Sequence, residues 1–345
     1  MSNSALILSK AGEKQVVKSR SRPTPAAHEI LVRVHAVATN PVDNLMAKHG
    51  YNVKSFPLVL GSDVSGLVED VGSSVTSFSK GDRVAGFSTV LATSNPDHGA
   101  FQEYSILYEH AAVKLPSNIS FEQGAVLPMA VATAGQSMFV RQKISKSQSA
   151  KDSIYFVWGG SSSTGTAAIQ LARYFGFTVF ATASPHHHEY LKSLGAAQVF
   201  NYKDASIEEE ILDAANSLDK PILHGFCAVT GDGANTRSAS ILSTSAKRAG
   251  KTAQLSVTLP WPEESSKPSN VEITMPFAAL LFTEKDEEEV ATWLFNKTLA
   301  QLLADGDYRP SPAIQIVEGG LEGIEKALEL HAAGISGKKL VIPLV

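Results

Sequence analysis

The chain carries a single cysteine, Cys227, in 345 residues. That excludes an internal disulfide and any zinc site built on two or more thiolates. No run of about 18 apolar residues occurs, so no membrane-spanning helix is expected, and the N-terminus lacks the basic-then-apolar pattern of a secretory leader. Excess charge of one sign is also missing. Thirty Lys and Arg stand against 34 Asp and Glu, a net −4, without the basic surplus that binds a nucleic-acid backbone. These absences predict a cytoplasmic protein with neither nucleic acid nor membrane as partner. No internal repeat or low-complexity tract is visible.

What is there is ample core material, with 43% hydrophobic residues. The length exceeds the roughly 250 to 300 residues at which one hydrophobic core stops growing, so two domains are expected. Residues 1–125 read as short β-type runs, among them Glu29 to Val37, Gly66 to Val71 and Asp82 to Ala85, punctuated by Gly, Pro and Ser. At Ser120 the pattern changes. Ser120 with Gln123 forms a capping box that predicts a helix through Ala134. Strand and helix patterns then alternate: strand Ser153 to Trp158, helix Thr164 to Phe175 stopped by Gly176, strand Thr178 to Ala183, helix Glu189 to Leu194, strand Gln198 to Phe200, helix Ile207 to Asn216 and strand Leu223 to Val229. Such alternation predicts an α/β fold with a doubly wound parallel sheet. Residues 258–270, with Pro260, Pro262 and Pro268, read as a loop, and a helix follows over Glu287 to Ala304. From Tyr308 short β runs return around a helix at Leu321 to Ala333. The expected domains are therefore 1–125 with 308–345, and 126–307.

Residues 158–165, Trp-Gly-Gly-Ser-Ser-Ser-Thr-Gly, fall between a strand and a helix. Glycines there let a backbone approach a ligand closely, hydroxyls donate to phosphate, and the helix start offers free amides to a pyrophosphate. Glycine-rich turns are common in ordinary loops, and this one departs from G-x-G-x-x-G. Its place in a strand, turn, helix, strand unit is what points to a dinucleotide. The second strand of the unit ends at Ala183-Ser184, with no carboxylate where an NAD enzyme holds its ribose hydroxyls. Ser184, the run His186 to His188 and Tyr202 present donors suited to a 2′-phosphate, which predicts NADPH. The bland alternative is that the histidines cap a solvated helix start; metal binding is disfavoured because neighbouring helical residues point in different directions.

In order along the chain, Asn40-Pro41-Val42-Asp43, Val59-Leu60-Gly61-Ser62-Asp63-Val64-Ser65-Gly66, Val71-Gly72, Lys80-Gly81-Asp82-Arg83-Val84, Gly99-Ala100-Phe101, Glu103-Tyr104, Leu127-Pro128, Thr133-Ala134 and Gly337-Lys338 resemble the motifs of the medium-chain dehydrogenase/reductase superfamily. The match spans nearly the whole chain. It implies a GroES-like catalytic domain made from both chain ends, enclosing a Rossmann domain. Zinc alcohol dehydrogenases of the superfamily carry cysteine where Asn40 stands and Gly-His-Glu where Gly61-Ser62-Asp63 stands. Without a Lewis acid to hold an alkoxide, alcohol oxidation loses its charge stabilisation, so the zinc-free quinone oxidoreductases and enoyl reductases are the implied branch.

Within that branch, Val157 to Ser162 and Thr182 to His186 are similar to fungal ToxD-like reductases and to the trans-acting enoyl reductases that serve polyketide synthases. The resemblance implies NADPH-dependent reduction of an α,β-unsaturated carbonyl or enoyl thioester, small or carrier-bound, by a monomer or homodimer. It places Ser161, Ser162, Ser163 and Thr164 at the phosphates and Ser184, His187 and Tyr202 at the 2′-phosphate. Asn40, Val42, Ile335 and Ser336 fall on the rest of the cofactor, the last two at its nicotinamide end. Thr133 matches the family threonine near the nicotinamide; its alternative role is helix packing. Tyr51 lies eleven residues after Asn40, the offset of a tyrosine proposed to assist proton delivery in mitochondrial-type enoyl reductases, and its alternative is a packed loop residue. Leu45 stands where many of the group have lysine. Cys227, preceded by Phe226, reads as core. Quinone reduction, or a nucleotide-binding scaffold without turnover, remain the rival functions.

Overall fold

The computed structural model describes residues 2–147 and 152–345. Two compact units emerge, Met1–Ala132 with Ala278–Val345, and Thr133–Phe277.

In the first unit, three strands β1 (Ser2–Leu8), β2 (Val16–Ser21) and β4 (Leu58–Val59) pair in the order β2-β1-β4. The larger sheet runs through β15 (Ala313–Ile316), β16 (Lys338–Pro343), β3 (Glu29–Ala38), β5 (Asp63–Val71), β6 (Arg83–Phe87) and β8 (Ala112–Lys114), with β7 (Tyr104–Tyr108) also on β3. The last strand of the chain, β16, lies antiparallel to β3 with Val341 opposite Ala38. Both chain ends thus build one GroES-like unit.

The second unit holds β9 (Ile154–Trp158), β10 (Thr178–Thr182), β11 (Gln198–Phe200), β12 (Ile222–Cys227), β13 (Ala253–Val257) and β14 (Val271–Thr274) in the order β11-β10-β9-β12-β13-β14, every neighbour parallel. All five residues of β9 are buried, as a central strand covered on both faces requires. Ile154, Phe156, Phe180, Ile222, Leu242 and Leu255 join its core. The first strand sits in the middle, and the winding reverses between β9 and β12. In such sheets ligands bind beyond the strand C-termini at that reversal.

The capping box forms as the sequence predicts: the Gln123 amide donates to Ser120 Oγ at 3.2 Å and the Ser120 amide to Gln123 Oε1 at 2.9 Å. The helix it starts ends at Gly124, and a second begins at Pro128. Proline lacks the amide hydrogen a continuous helix needs but suits a first turn.

The units divide at 132/133 and 277/278, where the sequence suggests 125/126 and 307/308. The reason is visible in residues 278–307. Asn296 Nδ2 donates to the carbonyls of Glu109 and Ala112 at 3.0 and 2.7 Å, and His110 Nε2 meets the Phe282 carbonyl at 3.0 Å. Long-range contacts of this kind leave no mark on local periodicity.

Candidate active site

In the second unit the turn after β9 is shaped by Gly159, whose φ is +81°, a conformation costly for other residues. Ser162 then caps the helix Ser163–Tyr174: its Oγ accepts from the Gly165 amide at 3.0 Å and donates to the Gly159 carbonyl at 2.9 Å. A Cβ on Gly165 would lie 2.3 Å from the Gly159 oxygen, so only glycine closes the turn this tightly. The amides of Ser163 and Thr164, in the first helical turn, have no intrahelical acceptor by geometry and are left for an anion. Ser161 to Thr164 are all half-buried.

The end of β10 is tied to the same turn. The Gly160 amide donates to the Thr182 carbonyl at 2.8 Å and the Gly159 amide to Thr182 Oγ1 at 3.1 Å. Ser184 starts the 3₁₀ turn Pro185–His187, in which the rings of His186 and His187 lie 4.0 Å apart. Partial burial and the neighbouring imidazoles hold His187 below the usual histidine range. His188 Nε2 lies 3.1 Å from the Ala183 carbonyl, while the Ala183 amide donates to the Phe200 carbonyl of β11 at 3.0 Å. Tyr202, two residues beyond that strand, is half-buried. Ser161, Ser162, Ser163, Thr164, Ser184, His187 and Tyr202 therefore converge on the C-terminal edge of β9, β10 and β11. A dinucleotide fits this cradle of glycines, hydroxyls and free amides.

Sequence reading missed Arg237. Its guanidinium lies 5.0 Å over the Trp158 ring, pairs with Glu208 at 3.1 Å and donates to the Tyr202 carbonyl at 3.3 Å. It brings a cation to the same edge. Cys227 is fully buried, its thiol pushed up to about 11 by burial, which suits packing and not nucleophilic chemistry.

In the first unit Asn40 is 3% exposed and ends the loop before the helix Pro41–His49. Its amide nitrogen Nδ2 donates to Asp63 Oδ2 at 2.9 Å, and its Oδ1 accepts from Lys339 Nζ at 2.6 Å. Lys339 also pairs with Asp63 Oδ2 at 2.9 Å. The other oxygen of Asp63 accepts the Met129 amide at 2.7 Å, in the first turn of the helix Pro128–Gly135 that carries Thr133. Asp43 reaches back to the Asn40 amide at 2.7 Å. Burial raises its carboxyl to about 7, with the nearby Asp63 charge adding to the effect. Asp63 and Lys339 were not singled out from sequence for these roles. The signal for Lys339 is a charged residue inside a terminal strand otherwise apolar from Leu340 to Ile342.

Zinc does not fit this set. Asn40 and Ser62 stand where zinc relatives carry cysteine and histidine, and an ammonium already lies against Asn40 and Asp63. Among the described residues no group of three or more His, Cys, Asp or Glu could hold a metal ion.

Tyr51 is 45% exposed, just past the far end of the helix from Asn40; nine residues of helix span about 14 Å. The two are not brought together. Val42 is half-buried in that helix, Thr133 is 9% exposed, Ile335 is half-buried and Ser336 is exposed. A surface hollow lined by His28, Tyr108, His110, Phe282 and Glu288 contains none of the predicted residues. No helix among the described residues is long and apolar enough to cross a membrane.

Comparison with known proteins agrees with this architecture. Residues 26–117 match the alcohol dehydrogenase GroES-like domain family, and residues 163–270 the zinc-binding dehydrogenase family. The chain is 36% identical over 348 residues to the trans-enoyl reductase tndF of Aspergillus flavipes, covering 99% of this chain and 98% of that protein. It is 34% identical over 350 residues to the dehydrogenase azaJ of Aspergillus niger, covering 99% of each. Among solved structures, the CurK enoyl reductase superposes with a TM-score of 0.75 at 21% identity, over 99% of both chains. The chain belongs to the medium-chain dehydrogenase/reductase superfamily. It is a reductase of that family and carries the family's nicotinamide-cofactor-binding domain.

Proposed function

We propose that this chain is a zinc-independent, NADPH-dependent enoyl reductase, acting in the cytoplasm on the activated double bond of an enoyl thioester carried by a polyketide synthase. The observation that carries the reading is the Asn40, Asp63 and Lys339 cluster, an internal ion pair whose ammonium takes up the oxygens that a zinc ion holding an alkoxide would need. An acceptor that develops its own carbonyl-stabilised charge does not need such a metal. Full-length likeness to a protein named as a trans-enoyl reductase supports the substrate class.

The nicotinamide, when bound, supplies the hydride. The amides of Ser163 and Thr164 with the Ser161 hydroxyl hold the pyrophosphate, and Arg237 adds positive charge. Ser162 shapes the turn that presents them, because its hydroxyl is spent on the Gly159 carbonyl and its amide donates there too. Ser184, His187 and Tyr202 take the 2′-phosphate. Thr133, Asn40, Val42, Ile335 and Ser336 position the remainder. Negative charge grows on the substrate carbonyl oxygen as its β-carbon is reduced, so a donor there contributes more in the transition state than in the ground state. Tyr51 is that donor.

The test is a screen of NADPH and NADH oxidation against enoyl thioesters, enones and quinones, with calorimetric titration of both cofactors. Thioester-dependent NADPH consumption, with NADPH bound at least about tenfold tighter, equivalent to ~1.4 kcal/mol, is expected. Turnover of quinones alone would replace the substrate assignment, and tight binding without any oxidation would leave a nucleotide-binding scaffold. Equal affinity for the two cofactors would remove the 2′-phosphate site.

A further inference from the structure

The Asn40 cluster contains more order than the proposed chemistry uses. Lys339 is 2% exposed and Asp63 fully buried, and removing such charges from water costs several kcal/mol per ion. A pair of apolar residues in their place is often as stable or more so, so stability alone gives no reason for the charges. Their hydrogen bonds give one. The ammonium draws Asn40 Oδ1 toward itself while Asp63 takes Asn40 Nδ2. A flipped amide would set its NH2 group against the ammonium and its oxygen against the carboxylate, so one orientation is enforced. Asp43 holds the Asn40 main-chain amide, and Asp63 holds Met129. The register of β16 on β3, with the Thr39 amide on the Leu340 carbonyl at 3.2 Å, delivers Lys339 to this point.

We propose that the Lys339 ammonium replaces the metal as the cation of the catalytic unit, and that it is a positioning residue: it fixes the Asn40 side chain and, through Asp63, the start of the helix Pro128–Gly135. The proposal rests on the first unit's geometry and not on which acceptor is reduced, so it can fail while the enoyl reductase reading stands, and the reverse.

Amide hydrogen exchange read by mass spectrometry on the full-length protein tests it. Lys339→Met keeps the chain length and deletes the charge. Exchange in peptides spanning 39–44 and 127–131 should rise about tenfold or more, as expected for loss of ~1.4 kcal/mol of local protection, with β9 and β10 peptides unchanged. Should the single variant not fold, Asp63→Asn/Lys339→Met decides, because it removes both charges while residue 63 keeps an oxygen for the Met129 amide. Local acceleration at 39–44 in the folded double variant supports the proposal. Wild-type protection there would make Lys339 a mere counter-ion, and equal acceleration in every peptide would make the pair a global stabiliser; either result overturns it.

Discussion

At Asp43 burial works against charge. The carboxyl is fully buried, one oxygen holds the Asn40 amide, and the other has no hydrogen-bond partner among the described residues. Its folded value of about 7 lies above the ordinary 3.8, so the folded protein holds this proton more tightly than the unfolded chain. The contribution to stability is complete below about pH 4, falls as pH rises, and is gone above about pH 7, with a slope of roughly 1.4 kcal/mol per pH unit between. His331, depressed to about 4 by burial and by Lys339, works in the opposite sense below about pH 6.5. Subtracting Asp43→Asn from wild type therefore isolates the aspartate. In urea titrations the variant should gain on wild type from about pH 5 to 7 and run parallel above, and curves parallel throughout would show that Asp43 is ionised from about pH 5 upward. The proposed role of Tyr51 depends on a single hydroxyl. Tyr51→Phe deletes only the hydroxyl. It should lower kcat by about 10- to 100-fold, about 1.4 to 2.7 kcal/mol, with cofactor affinity unchanged; a wild-type rate under chemistry-limited conditions would end its role as donor.

Among the elements, the β9 turn and its helix were legible because each signal is local. Strand β9 is an apolar run, the glycines mark the turn, and a serine precedes the helix. Observed limits of Ile154–Trp158 and Ser163–Tyr174 fall within a residue of those read from sequence. What sequence could not supply is why Gly165 is needed: its Cβ would meet two backbone groups, the Gly159 oxygen and, at 2.9 Å, Gly160 Cα. Neither can swing aside as a side chain could. Gly165→Ala should therefore open the turn, lowering stability by about 1 to 3 kcal/mol and NADPH affinity by about tenfold or more. Thermal melting and fluorescence titration read the two effects. A variant that melts and binds as wild type would show that the turn yields freely.

For the molecule as a whole, the absence of cysteine clusters and the ammonium against Asn40 and Asp63 predict less than about 0.1 zinc per chain by elemental analysis and full activity in strong chelator. One zinc per chain, lost together with activity, would contradict the zinc-independent reading. Sequence by itself determined the two-domain plan, the parallel alternation and the glycine-rich turn after β9, because periodicity and turn chemistry act over a few residues. It also set apart Asn40 and Gly61-Ser62-Asp63 as departures from the zinc-enzyme pattern, since those positions are identities in a motif. Only the tertiary structure decided that residues 278–307 pack with the first unit, that Arg237 reaches the Trp158 ring and the Tyr202 carbonyl, and that Lys339 meets Asn40 across 299 positions of chain. Those contacts arise from strand order and from burial of charge, and neither is encoded in the spacing of neighbouring residues.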